Sequence, residues 1–217
     1  DTIIHNLFAF DQLSDDLFLV LGVGGAVATV FGFLDDRFQI GVKYKLVVQF
    51  LLSCWVLFWF NSGPLVSIDW LPSLIAILIT LLLLVWIINA YNVMDGIDGM
   101  AASGAIFVSG SISIVLLLTN SSSPILILST SLLACASAFI IFNWPPASIF
   151  MGDAGSIFLG YIFGSQIIYT TMNNEVSIYT WLIVFSYFIA DTTATQISRL
   201  ILLKKWNKAH RSHAYQN

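Results

Sequence analysis

Apolar stretches long enough to cross a membrane fill most of this 217-residue chain. A helix needs about 20 mostly apolar residues to span the hydrocarbon of a bilayer. The chain is 58% hydrophobic and only 9% charged, whereas about a quarter of a typical soluble domain is charged. The sequence therefore predicts an all-α fold, a polytopic integral membrane protein.

Seven stretches are candidate spans, and the polar joints between them are too short to form a soluble domain. We therefore expect a single transmembrane domain over residues 1–217. The candidates are Leu17–Leu34, Leu46–Phe60, Leu71–Tyr91, Gly99–Thr119, Pro124–Asn143, Ala154–Thr171 and Tyr179–Leu203.

The basic residues predict the orientation of these spans. All eight fall in alternate joints, in the C-terminal tail or, for Arg199, near the end of the last candidate span, which leads into that tail, whereas the opposite joints carry only the acids Asp69 and Glu175. Loops rich in Lys and Arg stay in the cytoplasm, so the first set is predicted to be cytoplasmic. The basic residues are Arg37, Lys43, Lys45, Arg199, Lys204, Lys205, Lys208 and Arg211.

Acidic residues gather at the same predicted cytoplasmic ends. Acids close to a membrane are costly and usually functional. The alternative is that they only mark the ends of spans in the headgroup layer. Five of them in short runs rich in Gly and Asn, all on one side, favour a functional site. They are Asp35, Asp36, Asp95, Asp98 and Asp153.

The first acidic run is Phe31–Arg37, which contains the pair Asp35 and Asp36. Two adjacent carboxylates repel each other unless a cation or a shared proton relieves them. The pair therefore suits a metal site or a general base. Lys43 and Lys45 follow in the same joint and could hold a phosphate.

The second run is Asn89–Gly99. Asn89 and Asn92 lie at helical i, i+3 spacing and can share a face with Asp95. Gly96 and Gly99 permit tight backbone and close approach of a ligand. Oxygen ligands of this kind suit Mg²⁺, which binds one or two carboxylates together with substrate phosphates.

The third run is Phe142–Ser156. Two prolines end one helix, and Gly152 and Asp153 open the next. The N-terminus of a helix attracts anions. Asp153 lies at that place, and because its own charge would repel a phosphate, it is interpreted as a metal ligand.

In the tail, His210, Arg211 and His213 could contact a phosphate or a sugar. A zinc site is disfavoured, because too few histidines and no thiolate converge.

In this order, the segments resemble the polyprenyl-phosphate N-acetylhexosamine-1-phosphate transferase family, also called glycosyltransferase family 4. The terminal His-x-x-His-Ala-Tyr-Gln form is similar to the branch that initiates O-antigen and capsule synthesis. The family usually has more spans, both before and after the matching region. We therefore expect this chain to be a fragment that lacks N- and C-terminal spans and has low activity alone.

The resemblance implies a reaction. An N-acetylamino-sugar 1-phosphate would pass from a UDP-sugar to polyprenyl phosphate, and the expected acceptor is undecaprenyl phosphate. N-acetylglucosamine and a 6-deoxy amino sugar are both open as the sugar. UMP would leave, and the lipid-linked product would start a cell-surface glycan such as the O-antigen of lipopolysaccharide or a cell-wall polymer. It also implies a multi-pass protein of the bacterial inner membrane with its active site facing the cytoplasm. A homodimer is left open, and no nucleic acid partner is expected.

The resemblance also implies roles for the candidate residues. Asp153 and Asn92 would hold Mg²⁺, or Mn²⁺ in its place. Asp35 or Asp36 would deprotonate or orient the acceptor phosphate, or act as a covalent nucleophile, while Lys45 holds phosphate oxygens. The expected substrate contacts are Asn89, Asp95, Gly96, Ile97, Asp98, His210, Arg211 and His213, of which Gly96, Ile97 and Asp98 resemble the uracil-binding part of the family.

Two other classes fit less well. A CDP-alcohol phosphatidyltransferase should show an Ala-Arg pair soon after its Asp-Gly motif, but Gly99 is followed by Met-Ala-Ala-Ser. A transporter should carry its acids near mid-membrane, and only Asp191 approaches that depth.

Overall fold

The computed structural model describes residues 14–61, 63, 65 and 72–190, and these residues form helices and loops without a strand. Helix α1 covers Asp15–Phe38. The others are α2 Val42–Trp59, α3 Ser73–Met94, α4 Met100–Leu118, α5 Pro124–Asn143, α6 Gly152–Met172 and α7 Ile178–Val184. The all-helical, polytopic prediction is confirmed.

The number of spans agrees only in part with the predicted seven. Helices α1 to α5 are long and apolar enough to cross a membrane. Helix α6 has 21 residues and is about 31 Å long, but it is less apolar than the other five. Helix α7 ends at Val184, and a second helical stretch begins at 186. The description ends at residue 190, so about half of the predicted span Tyr179–Leu203 lies outside the described residues. A count of seven therefore stays a prediction.

Helix α6 lies at the centre of the bundle, packed between α1 and α3, which explains why it needs no continuous apolar surface. Small residues let its neighbours approach closely. At Gly160 an added Cβ would lie 2.8 Å from the Cα of Ile88 in α3. The polar residue Gln166 is fully buried in this helix.

Helix α1 contains a π-helical segment, Leu19–Gly24. Such segments disturb the backbone hydrogen bonding of a helix, and two side chains from other helices donate to carbonyls of this segment. Trp55 Nε1 donates to the Leu19 carbonyl at 3.1 Å, and the Tyr161 hydroxyl donates to the Val20 carbonyl at 2.8 Å. The segment thereby joins α1 to α2 and α6.

The helix-connecting joints lie at two opposite ends of the bundle. Residues 39–41, 95–99 and 144–151 connect helices at one end, and the helix ends next to these joints carry the candidate site. At the other end, the Phe60 and Tyr169 rings meet with centroids 5.4 Å apart. The two ends are therefore built from different joints and can be compared directly.

Candidate active site

The first turn of α6 is held by a carboxylate from α1. Asp36 accepts hydrogen bonds from the backbone N–H groups of Asp153 at 2.8 Å and Ala154 at 3.1 Å. Met151, the residue at the N-cap position, offers no side-chain cap. Asp36, which belongs to α1, caps α6 instead. The anion expected at this helix N-terminus is thus a side chain of the protein itself.

Close packing of backbone on backbone supports this junction. Gly32 of α1 lies against the start of α6, where an added Cβ would come within 2.5 Å of the Ala154 Cα and closer still to the Asp153 carbonyl oxygen. A side chain at this position would force α1 away from α6. Gly32 therefore lets the helix that carries Asp35 and Asp36 meet the start of α6.

Lys45 bridges two carboxylates that are far apart in the sequence. Its Nζ pairs with the Asp35 carboxylate and lies 2.8 Å from Asp153 Oδ2. Asp35 is only 2% exposed, and its other oxygen accepts a hydrogen bond from the Ile40 backbone N–H at 2.8 Å. The Lys45 side chain keeps a quarter of its surface exposed.

Asn92, near the end of α3, completes the contacts of Asp153. Its Nδ2 donates to Asp153 Oδ1 at 2.7 Å and to Ser156 Oγ at 2.9 Å. Both oxygens of Asp153 therefore have a partner, one neutral and one cationic. In this arrangement Asn92 orients Asp153 with its nitrogen, and its amide would have to turn over to offer the oxygen to a metal.

Asp95 adds negative charge beside this cluster. Burial, together with the carboxylates of Asp153 and Asp36, raises the pKa of Asp95 to about 7, while a hydrogen bond from the Gly152 N–H opposes the rise. Four carboxyl groups and one ammonium thus share a small region. Such a surplus of negative charge favours binding of a further cation.

Three hydrogen bonds fix the joints around the cluster. Asn143 is 2% exposed; its Oδ1 accepts from the Gly99 N–H, and its Nδ2 donates to the Ile149 carbonyl, each at 2.9 Å. Asp98 accepts from the Ala147 N–H at 2.9 Å. These contacts tie the joint after α3 to the joint after α5.

The structure thus brings together five of the residues predicted from the sequence, and Asp95 lies beside them. Half-buried Asn89 lies three residues before Asn92 in α3, and the exposed Gly96 and half-buried Ile97 follow in the next joint. The tail residues His210, Arg211 and His213 lie outside the described residues. The five residues that meet are Asp35, Asp36, Lys45, Asn92 and Asp153.

Three residues that support the site were not predicted from the sequence as site residues: Gly32, Asn143 and Ser156. Asn143 did carry a signal, because it is a polar residue at the end of an apolar helix just before a Trp-Pro-Pro break. Gly32 and Ser156 resemble ordinary small residues of membrane helices. Their roles come from contacts with distant segments.

The donor set fits Mg²⁺, provided that the ion takes other ligands from elsewhere. Carboxylate and amide oxygens are suitable donors, and the Lys45 ammonium already occupies a cation position between Asp35 and Asp153. Among the described residues, no group of three or more His, Cys, Asp or Glu side chains is arranged to hold a metal alone. Mg²⁺ typically uses few protein carboxylates and completes its shell with phosphate oxygens and water.

Comparison with known proteins gives a consistent picture. The profile described as "Glycosyl transferase family 4" matches residues 18–171. A protein of Bacillus subtilis strain 168, named "Probable undecaprenyl-phosphate N-acetylglucosaminyl 1-phosphate transferase", is 31% identical over 98% of this chain and 61% of its own length.

Two further relatives carry the name "Phospho-N-acetylmuramoyl-pentapeptide-transferase". The protein of Petrotoga mobilis is 32% identical over 76% of this chain and 55% of its own length. The protein of Thermotoga maritima is 35% identical over 75% of this chain and 56% of its own length. The chain therefore spans little more than half the length of these relatives.

Proposed function

Since the chain belongs to glycosyl transferase family 4, we propose that its polar cluster forms the centre of a membrane-bound sugar-1-phosphate transferase. The enzyme transfers an N-acetylamino-sugar 1-phosphate from a UDP-sugar to polyprenyl phosphate. The observation that carries the proposal is the Lys45 ammonium between Asp35 and Asp153, at the end of a bundle of apolar helices. The names of the relatives support the same general reaction.

The chain's own residues position two phosphate groups. Lys45 holds oxygens of the acceptor phosphate, and Asp35 orients that phosphate or accepts its proton. An oxygen of the acceptor phosphate attacks the phosphorus attached to the sugar, the bond from that phosphorus to the UMP oxygen breaks, and UMP leaves. Alignment and neutralisation of charge account for most of the catalysis in such transfers.

A magnesium ion would be held by Asp153, with Asn92 beside it. When bound, the ion would neutralise charge on the donor diphosphate. Asp36 and Ser156 contribute indirectly: Asp36 fixes the backbone of Asp153 and Ser156 accepts a hydrogen bond from Asn92. Family membership favours this reading over transporter and CDP-alcohol phosphatidyltransferase alternatives.

The donor sugar can be tested directly. We propose N-acetylglucosamine, because the relative with that sugar in its name aligns with 98% of this chain. The full gene product, supplied with undecaprenyl phosphate and Mg²⁺, should release UMP from UDP-N-acetylglucosamine and more slowly from UDP-N-acetylmuramoyl-pentapeptide. A faster reaction with the pentapeptide donor would assign the protein to cell-wall precursor synthesis instead of an O-antigen or other surface-glycan pathway. If neither donor released UMP, the proposed reaction would be refuted.

The active site is proposed to face the cytoplasm of a bacterial cell from the inner membrane. Ser122 and Ser148 are both exposed and lie in joints at opposite ends of the bundle. In a variant whose Cys54 and Cys135 are replaced by Ala, Ser122→Cys should react with an impermeant thiol reagent added to intact cells. Ser148→Cys should react only after the membrane is opened. The reverse labelling pattern would show that the orientation is wrong.

A further inference from the structure

Helix α2 buries a polar side chain whose oxygen finds no hydrogen-bond partner among the described residues. Gln49 is 1% exposed, and its Oε1 is unpartnered there. Buried polar atoms are almost always hydrogen-bonded in folded proteins, so each exception requires an explanation. The neighbouring inward-facing residues include Leu52 and Val56, which are ordinary apolar core residues.

The position of Gln49 points to the candidate site. It follows Lys45 by four residues on α2, so the two side chains share a face and lie about 6 Å apart along the helix axis. Side chains on a helix tilt towards its N-terminus. This tilt favours a Gln49 amide that extends towards Lys45 from the membrane side of the cluster.

The Lys45 ammonium could donate a hydrogen bond to the Gln49 amide oxygen. Its ammonium group carries three N–H donors, and the contacts with Asp35 and Asp153 engage it with two carboxylates. To hold a substrate phosphate, the ammonium must turn donors away from these carboxylates. A neutral, fixed oxygen beneath it could hold it in the new orientation without the attraction of a full negative charge.

We propose that Gln49 is a positioning residue, whose amide oxygen accepts a hydrogen bond from the Lys45 ammonium when the acceptor phosphate is bound. This inference rests on the proposed transferase function and adds a residue to the binding of its lipid acceptor. Gln49 itself does not contact the reacting atoms. Its contribution is to keep Lys45 directed at the phosphate.

The test replaces the amide by a side chain of similar size without hydrogen-bonding groups, Gln49→Met, in the full gene product. An unpartnered acceptor contributes nothing to folding, so the melting temperature without substrate should stay the same or rise. The KM for undecaprenyl phosphate should rise about fivefold or more, equivalent to about 1 kcal/mol, while the KM for the UDP-sugar changes less than about twofold. The stabilisation of the protein by undecaprenyl phosphate in a thermal melt should shrink in parallel.

Trp59→Phe is the matched control. The Trp59 Nε1 atom is also buried without a partner among the described residues, on the same helix, but it lies ten residues from Gln49, about 15 Å along the axis. This variant should keep both KM values. A shorter amide, Gln49→Asn, keeps the polar group but withdraws it by one methylene, and should also raise the KM for the lipid acceptor.

Several results would overturn the inference. Wild-type kinetics in Gln49→Met or in Gln49→Asn would show that the amide does not position Lys45. Equal increases in both KM values together with a lowered melting temperature would assign Gln49 a purely structural role. If the wild-type protein neither releases UMP nor is stabilised by undecaprenyl phosphate, the proposed function itself fails and this inference falls with it.

Discussion

The two ends of the helix bundle use polar residues in different ways. At the end opposite the site, polar residues mostly act within their own joint. Asn61, Asn120 and Asn174 follow helices with positive φ angles of 45°, 50° and 55°, and Ser123 and Ser177 accept hydrogen bonds from the N–H groups of the helices that they precede. Asn tolerates this left-handed backbone better than most residues, so it ends helices without help from elsewhere.

At the site end, several polar contacts connect segments that are distant in the sequence. Lys45 reaches a residue 108 positions away, Asp36 one that is 117 positions away, and Asn92 one that is 61 positions away. Polar residues at helix ends are therefore not equivalent. Those with local partners shape the chain, whereas those with distant partners build a charged site that depends on the whole bundle.

The closest backbone approach at the site end should be the most sensitive point of the fold. Gly32→Ala would place a Cβ against the backbone of Asp153 and Ala154, and such overpacking typically costs about 1–3 kcal/mol. We expect a clearly lower melting temperature in detergent and loss of most UMP release, because α1 must move away from α6.

Gly110→Ala is the control for that substitution. Its added Cβ would meet Leu133 at an ordinary 3.6 Å, and replacing a helical Gly by Ala typically stabilises by about 0.5–1 kcal/mol. The melting temperature should therefore hold or rise, with activity retained. If Gly32→Ala melted at the same temperature as Gly110→Ala, the close junction of α1 and α6 would be wrong.

Removal of a helix cap at either end should lower the melting temperature less than Gly32→Ala does. Loss of a capping side chain costs about 1 kcal/mol. Asp36→Ala, which removes the cap of α6, and Ser177→Ala, which removes the cap of α7, should lower the melting temperature by similar amounts. Only Asp36→Ala should reduce UMP release, because it alone disturbs the backbone of Asp153. Equal losses of activity in the two variants would remove the distinction between the ends.

Hydropathy predicted the helices well where a span is uniformly apolar. The limits of α5, Pro124–Asn143, agree with the prediction, and those of α4 differ by one residue at each end. Helix α2 begins at Val42, four residues before the predicted Leu46. Charged Lys43 and Lys45 break the apolar pattern but not the helical backbone, and Lys45 directs its charge into the site.

The sequence also predicted which residues form the site, but not how they are connected. Acids on one side of the membrane and the order of the motifs indicated Asp35, Asp36 and Asp153. The cap that Asp36 provides and the contact at Gly32 depend on how two distant helices pack, for which a single sequence carries no periodic signal. Asn92 was predicted to bind the metal, and the structure shows it donating its amide hydrogen to Asp153.

One measurement tests most directly whether function resides at the end with distant contacts. Asp153→Asn and Glu175→Gln make the same chemical change, loss of one half-buried carboxylate, at opposite ends of the bundle. With UDP-N-acetylglucosamine, undecaprenyl phosphate and Mg²⁺, Asp153→Asn should reduce the rate of UMP release about a hundredfold or more, as removal of a group that stabilises transition-state charge does. Glu175→Gln should retain the wild-type rate. Turnover at the wild-type rate by Asp153→Asn, or an equal loss in Glu175→Gln, would contradict the assignment of the active site.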